Sequence, residues 1–533
     1  MIDRVVSPAI GSQEMDDSSV AGSAARRRRT LFVACAGVAL VVSSMTALNT
    51  ALSDIALATS ATQAQMTWVV DGYTLALACL LLPAGAIGDR YGRRSALLAG
   101  LVIFAIASSL PLIFDSPMQI IAARVLAGVG AAFVMPATLS LLTAVYPPQD
   151  RTKAVGVWAG VAGSAGAIGL LGTGTLLHFW PWRSIFWALA AGGVTLVLLT
   201  LTIAESRHAH SPPLDLPGSV LIAAAVAVFV LGILQAPTYG WADTRVYGCL
   251  IGGSALAVVF GFIEFRRRQP LLDIRLFANP DFGTGAAAIT VVFLATFALF
   301  YLTTQYVQEV MGYSPLMTAF ALSPMVIPLL TFSTLSFWYV PKLGLRTVIL
   351  LSMVLVSVGF LYMRTLGVAS SFLDLFWPLL VISSGFGLCT APTTSAIMSA
   401  APDEKHGVAS AVNDATREIG GALGIAIAGS ILAGSYSHRI AASLRNFPKD
   451  VREPAANSLP KALAVANHLG SQGHQLAELS KAAFVAATNS SYGVMAAIVG
   501  VAAVIIPLFA PGRDGRQLRA VRRLQTFVNR RRS

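Results

Sequence analysis

The chain has 533 residues, 55% of them hydrophobic and only 12% charged. A soluble domain carries roughly 25% charged residues, and no soluble fold of this length hides so much apolar surface. The composition therefore excludes a soluble protein and leaves a helical membrane protein of many spans. The net charge of +12 raises the question of nucleic acid, which the placement of the basic residues answers.

Residues 1–25 are polar, mixed in charge and rich in Ser, Ala and Gly, and read as disordered. Arg26-Arg27-Arg28-Arg29 then abuts the first apolar run. A basic stretch before an apolar one is the pattern of a secretory signal, but many more spans follow, so this one reads as a retained anchor. A window of about 20 apolar residues predicts fourteen spans, near 30–52, 65–88, 95–114, 117–146, 152–177, 182–203, 214–235, 246–265, 282–308, 316–339, 345–363, 372–400, 407–434 and 484–510. An even number puts both termini on one side.

With that side taken as the cytoplasm, 26 Lys and Arg fall in cytoplasmic segments, 9 in external ones and 2 (Arg124, Arg417) inside spans. This is the positive-inside bias. The excess charge is thus topology, and nucleic-acid binding is not expected. The four cysteines lie singly in apolar runs, with no metal spacing. The spans divide into a disordered cytoplasmic tail (1–29), a six-helix half (30–203), an inserted pair with its linkers (204–281), a second six-helix half (282–511) and a basic cytoplasmic tail (512–533). One long external loop, 435–483, contains an apolar-patterned stretch, Ala455–Lys481, that reads as a surface helix. The C-terminal tail interleaves arginines with Leu518, Val521, Leu524, Phe527 and Val528, which reads as a topology anchor or as an amphipathic helix on anionic lipid.

Between the second and third spans lies Gly85-Ala86-Ile87-Gly88-Asp89-Arg90-Tyr91-Gly92-Arg93-Arg94. Glycine permits the tight turn, and Arg90, Arg93 and Arg94 hold it on the cytoplasmic side. Asp89 is the odd member, since a topology signal needs no acid. Pro341-Lys342-Leu343-Gly344-Leu345-Arg346, after span ten, is a faint echo of it, at the matching place of a parallel repeat.

Ionisable groups inside a bilayer cost at least ~2.5–3.5 kcal/mol each, so each calls for a partner or a use. Asp71 lies in the first third of span two. Low-dielectric surroundings disfavour an ionised carboxyl, which makes it a candidate proton carrier. Arg124, in span four, must find an acid, a carbonyl or water, while Gly128 and Gly130 beside it let another helix approach. Asp414, Arg417 and Glu418 share one face of span thirteen at i,i+3 and i,i+4 spacing. They read either as a local salt bridge or as part of a transport site. There is no P-loop, no H-E-x-x-H and no nucleophile elbow, so no enzyme chemistry, cofactor or metal is expected.

The turn at 85–94 resembles the loop signature of the major facilitator superfamily of transporters. Span four resembles its arginine–glycine motif. Span five, with glycines at 163, 166, 169 and 172, resembles the antiporter motif, and Trp182-Arg183-Ser184-Ile185-Phe186 the start of span six. Tyr306–Pro315 and Asn413–Gly421 fit the same picture, and together with the fourteen spans they resemble the fourteen-span drug:proton antiporters of that superfamily.

This implies an all-α polytopic membrane protein: two six-helix bundles around a midplane cavity, with two added central helices and alternating access by rocking of the halves. It also implies a monomer in a bacterial cell membrane, whose partners are amphipathic, often cationic small molecules, protons and membrane lipid. The turn would latch the cytoplasmic side, Asp89 sitting against the positive N-terminal end of span thirteen near His406 and Gly407. Two departures stand out. Ser44 falls where members often carry an acid in the first span, which shifts any proton role toward Asp71. Leu170 replaces the proline of the antiporter motif, which weakens the case for export over import. The rival expectations are a lipid or metabolite transporter without proton coupling, and a sensor or scaffold that moves nothing.

Overall fold

In a computed structural model the chain is described over residues 11–48, 51–206, 214–267, 269–469 and 471–517. It is helical, and among the described residues fourteen helices are long and apolar enough to cross a membrane. The first six are Ala24–Ala47, Gln65–Tyr91, Arg93–Leu112, Pro117–Val145, Pro148–Phe179 and Arg183–Thr200. The inserted pair is Leu216–Tyr239 and Thr244–Arg266. The last six are Pro280–Val310, Pro315–Thr334, Ser336–Met363, Phe372–Ala400, Asp403–Ser443 and Gly473–Phe509.

Local chemistry sets several boundaries. Thr62 and Gln65 form a reciprocal capping box at the start of span two, Ser116 and Gln119 one at span four, and Ser371 and Asp374 one at span twelve. Spans two and three are separated by Gly92 alone, at φ 117°, a conformation that favours glycine. Glu205, just after span six, accepts the amides of Arg94 and Ser95 at 3.0 Å each and so caps span three from across the half.

The echo after span ten has a structural counterpart. Gly344 takes φ 76° and breaks the helix that starts at Ser336, so residues 336–343 belong with span ten. Arg94 donates to the carbonyls of Thr200 (3.2 Å) and Leu201 (3.0 Å) at the end of span six. Arg346 likewise donates to the carbonyls of Pro507 (3.2 Å) and Ala510 (2.8 Å) at the end of span fourteen. In each half an arginine two residues after a positive-φ glycine satisfies the orphan carbonyls of that half's last helix.

One buried cluster runs through the first half, with Leu77, Phe104, Leu139, Trp158 and Phe186 among its members, and continues into Phe282, Ile397 and Val408 of the second. A second cluster, with Leu299, Met353, Leu379 and Tyr492, fills the last six spans. The seam between the halves is therefore packed shut at the end that carries Asp89. Span seven packs on span eight and lies against both span two and span thirteen. The inserted segment's links to the second half include the Trp241 indole, after span seven, donating to Ser430 Oγ at 2.9 Å and Lys405 Nζ donating to the carbonyl of Pro270, after span eight, at 2.8 Å. Span eight turns Ile251, Val258 and Phe262 outward, as a lipid-facing helix does.

Three expectations change. The first helix reaches back to Gly11, into the stretch whose composition reads as disordered. Ala24–Ala25 and the four arginines are good helix formers and extend the anchor. The long external loop is mostly helical: span thirteen runs on to Ser443, helices Lys449–Asn457 and Leu459–Ala466 follow, and the last long helix starts at Ser471. The single surface helix expected over 455–481 is broken at Ser458, which is extended and precedes Pro460. Val451, Ala455, Leu459, Ala462 and Leu476 are buried on the second core, so this segment is folded onto its half. The reading of residues 518–533 as an anchor or amphipathic helix lies outside the described residues.

Candidate transport site

At the Asp89 end, span two meets the beginning of span thirteen. Asp89 Oδ1 accepts the Gly407 amide at 2.9 Å and Oδ2 accepts the Val408 amide at 3.1 Å. A carboxylate on the free amides of a helix N-terminus gains both hydrogen bonds and the helix dipole. Arg93, 1% exposed, closes on the same carboxylate through Nε (3.1 Å) and Nη2 (3.0 Å) and reaches the Asp403 carbonyl at 2.8 Å. This group thus spans both halves. Gly85 faces Gly407 so closely that a methyl on Gly407 would fall 2.5 Å from the Gly85 carbonyl oxygen and 2.7 Å from Asp89. Arg90 stacks on Tyr91 and, with Asp89, Asp215 and Lys405, lines a small cavity of about 40 Å³ beside the junction. Burial pushes the Asp215 carboxyl up, but the Gly218 amide and the Arg267 guanidinium outweigh it and hold it below its ordinary value.

Deeper in, Arg124 (2% exposed) donates to Ser44 Oγ at 2.9 Å, to the Ser44 carbonyl at 3.1 Å and to the Val69 carbonyl at 3.2 Å, and its guanidinium lies 4.2 Å from the Tyr73 ring centroid. No carboxylate among the described residues pairs with it. The serine in the place of the first-span acid is thus a partner of the buried arginine. Asp71 is half-buried and makes no hydrogen bond or ion pair with a described residue.

Of the two readings of span thirteen, the local salt bridge is absent among the described residues. Arg417 lies beyond ion-pair distance of both Asp414 and Glu418. It donates from Nη2 to Thr394 Oγ1 at 2.9 Å and sits 5.0 Å from the ring centroids of both Trp158 and Phe293. Asp414 Oδ1 takes the Asn413 side-chain amide at 3.1 Å, while Asp414 Oδ2 and Arg417 Nε are buried without a hydrogen-bond partner among the described residues. Tertiary packing against spans five, nine and twelve has overridden a pairing that helix spacing alone allows.

The glycines divide. Gly128 packs against the Tyr73 carbonyl. A methyl on Gly163 would fall 2.7 Å from Leu329 of span ten, and one on Gly169 2.8 Å from Ser43 of span one. Gly166 has only an ordinary neighbour, Thr46 at 3.6 Å. Gly172, expected to serve helix packing, has nothing within 4 Å, because it lies on the exposed face of span five, whereas a methyl on Gly174, two residues on, would meet Leu316 at 3.0 Å. Glu205, Tyr73, Trp158, Phe293 and Thr394 went unread in the sequence. Only Glu205, an acid directly after a span, carried a local signal.

A pattern for the Major Facilitator Superfamily matches residues 32–425. The chain belongs to the Major Facilitator Superfamily. As a superfamily member it is a multi-pass membrane transporter, related to drug-resistance and efflux proteins at about 30% identity. It is 31% identical to the multidrug resistance protein Stp of Mycobacterium tuberculosis over 76% of this chain and 75% of that one. It is 27% identical to the tetracenomycin C resistance and export protein of Streptomyces glaucescens over 89% and 90%. With the methyl viologen resistance protein SmvA of Salmonella typhimurium it shares 29% over 83% and 89%. Among solved structures, the proton:xylose symporter XylE aligns at TM-score 0.58 and 14% identity, over 93% of this chain and 98% of that one. The human organic anion transporter MFSD10 aligns at TM-score 0.56 and 13% identity, over 89% and 99%. These two share the major-facilitator fold.

Proposed function

We propose that this chain exports amphipathic, predominantly cationic compounds across a bacterial cell membrane in exchange for protons, by alternating access. The observation that carries the reading is a set of three acids inside spans, Asp71, Asp414 and Glu418, none of them within ion-pair distance of a base among the described residues. Such groups are expensive in a bilayer unless they bind something that comes and goes, and protons and substrate cations are the candidates. The relatives named for resistance to tetracenomycin C and methyl viologen, the latter an organic cation, support the same direction.

The positive-inside count puts the Asp89 end and both termini on the cytoplasmic side. The conformation described is then closed to the cytoplasm, with Gly85, Asp89, Arg90, Gly92, Arg93 and Arg94 as its latch. Asp71 is the proposed proton carrier of the first half, with Asp414 and Glu418 serving the second. Arg124 of span four ties span one through Ser44 and span two through the Val69 carbonyl, and Gly128, Gly163 and Gly169 let the helices approach. Transport of a fluorescent organic cation by everted membrane vesicles, with and without a proton gradient, tests the reading.

Ser44 in place of the first-span acid supports a second reading, a lipid or metabolite carrier without proton coupling. It predicts flux that ignores the gradient. A sensor that binds without moving anything predicts saturable binding and no flux.

A further inference from the structure

Arg417 is a cation held chiefly by two aromatic faces. Its guanidinium lies 5.0 Å from the centroid of Trp158 and 5.0 Å from that of Phe293. It is 3% exposed, has one hydrogen bond, to Thr394, and keeps a buried Nε with no partner among the described residues. Buried arginines ordinarily sit on carboxylates. This one does not, although Asp414 lies one turn away on the same face with Oδ2 unpartnered.

The slot is built from both halves. Trp158 belongs to span five and is fully buried, its indole fixed by donation to Thr138 at 3.2 Å. Phe293 belongs to span nine and leans on Phe297, with centroids 6.3 Å apart. Arg417 and Asp414 are also joined indirectly. Arg417 donates to Thr394 (2.9 Å), Thr394 to Asn413 Oδ1 (3.0 Å), and the Asn413 amide to Asp414 (3.1 Å).

We infer that the Trp158–Phe293 slot is a binding site for organic cations, that Arg417 occupies it as a built-in stand-in, and that an incoming cation displaces Arg417 onto Asp414. This deepens the cation-export reading and rests on it. The physics is an exchange of like for like. Two aromatic faces attract a flat or quaternary cation as they attract a guanidinium, and the displaced arginine gains the carboxylate it now lacks. Arrival of the guanidinium favours the ionised form of Asp414, and the carboxyl proton leaves to water. Binding a cation thereby expels a proton although the two never share a ligand.

Asp414 and Glu418 act on each other and feel Arg417 of their own helix, and from span two the Tyr73 phenol, itself beside Arg124, faces Glu418. Neither Asp71 of span two nor Arg124 of span four comes within ion-pair distance of them. Because the slot closes between span five and span nine, an occupant also bridges the halves.

The test uses purified full-length protein and tetraphenylphosphonium, reading affinity by calorimetry and protons released per bound cation in weak buffer. Arg417→Gln empties the slot and removes the competitor, so it should bind about tenfold tighter and release fewer protons than wild type. Adding Phe293→Leu to Arg417→Gln should erase that gain. Unchanged or weaker binding in Arg417→Gln overturns the inference. So does a gain that survives Phe293→Leu, since simple relief of charge repulsion would then explain it. Should Arg417→Gln not fold, Phe293→Leu alone still decides: it should weaken wild-type binding, and equal affinity contradicts the slot. A wild type that neither binds nor transports the cation would instead remove the cation-export reading itself.

Discussion

Arg124 and Ser44 hold each other across spans four and one: the guanidinium donates to both the hydroxyl (2.9 Å) and the carbonyl (3.1 Å) of the serine. A hydroxyl neutralises no charge, so this buried arginine keeps its full field beside Tyr73 and the Val69 carbonyl. The bonds need a planar fork that reaches several acceptors at once. Arg124→Lys should therefore express and insert normally yet lose transport. Vesicle uptake beside a quantified membrane fraction checks this, and wild-type flux in the lysine variant would mean that a point charge suffices.

Asp89→Asn should leave the helices intact, because the apolar packing within each half and across the seam does not depend on this one carboxylate. It removes charge-assisted hydrogen bonds worth about 1.5–3 kcal/mol each from the junction with Gly407, Val408 and Arg93. Transport should drop by at least ~10-fold, since each ~1.4 kcal/mol shifts the closed–open balance tenfold. Proteoliposome rates at equal protein load give the comparison, and unaltered rates would take the turn out of the mechanism.

Gly407→Ala probes the same junction sterically. The added methyl would meet the Gly85 carbonyl at 2.5 Å and the Asp89 carboxyl carbon at 2.7 Å, so the cytoplasmic seam should be propped apart in a folded protein. A cysteine introduced at Ala411 should then label faster from the cytoplasmic side in the alanine variant. Equal labelling rates would show that the seam absorbs the methyl.

The spans were readable because a bilayer demands about 20 apolar residues, whereas the repeat showed only as a faint echo at 341–346, and the roles of Gly344 and Arg346 came from the structure. The meeting of Asp89 with the start of span thirteen was also legible, through the family's turn. The partner of Arg417 was not. Helix spacing offered Asp414, and packing supplied Trp158 and Phe293, aromatic residues that look like any others in an apolar run. Gly172 shows the same limit in reverse, since a glycine's spacing does not say whether a neighbour lies opposite it.

Asp71→Asn fixes a neutral side chain at a position with no described partner. If the Asp71 proton competes with substrate, wild-type cation affinity should rise with pH as the carboxyl ionises. The asparagine variant should bind weakly throughout, without that Asp71-dependent rise, and lose uphill transport. Titrating binding across pH for both proteins separates the cases. Matching curves would move the coupling acid to Asp414 or Glu418.

The most direct measurement of the central claim is cation accumulation by proteoliposomes with the membrane potential clamped at zero and only a proton gradient imposed. Proton-coupled exchange predicts that an acidic lumen drives tetraphenylphosphonium inward above its equilibrium level, and that collapsing the gradient releases it. Accumulation that is the same with and without the gradient would contradict the account.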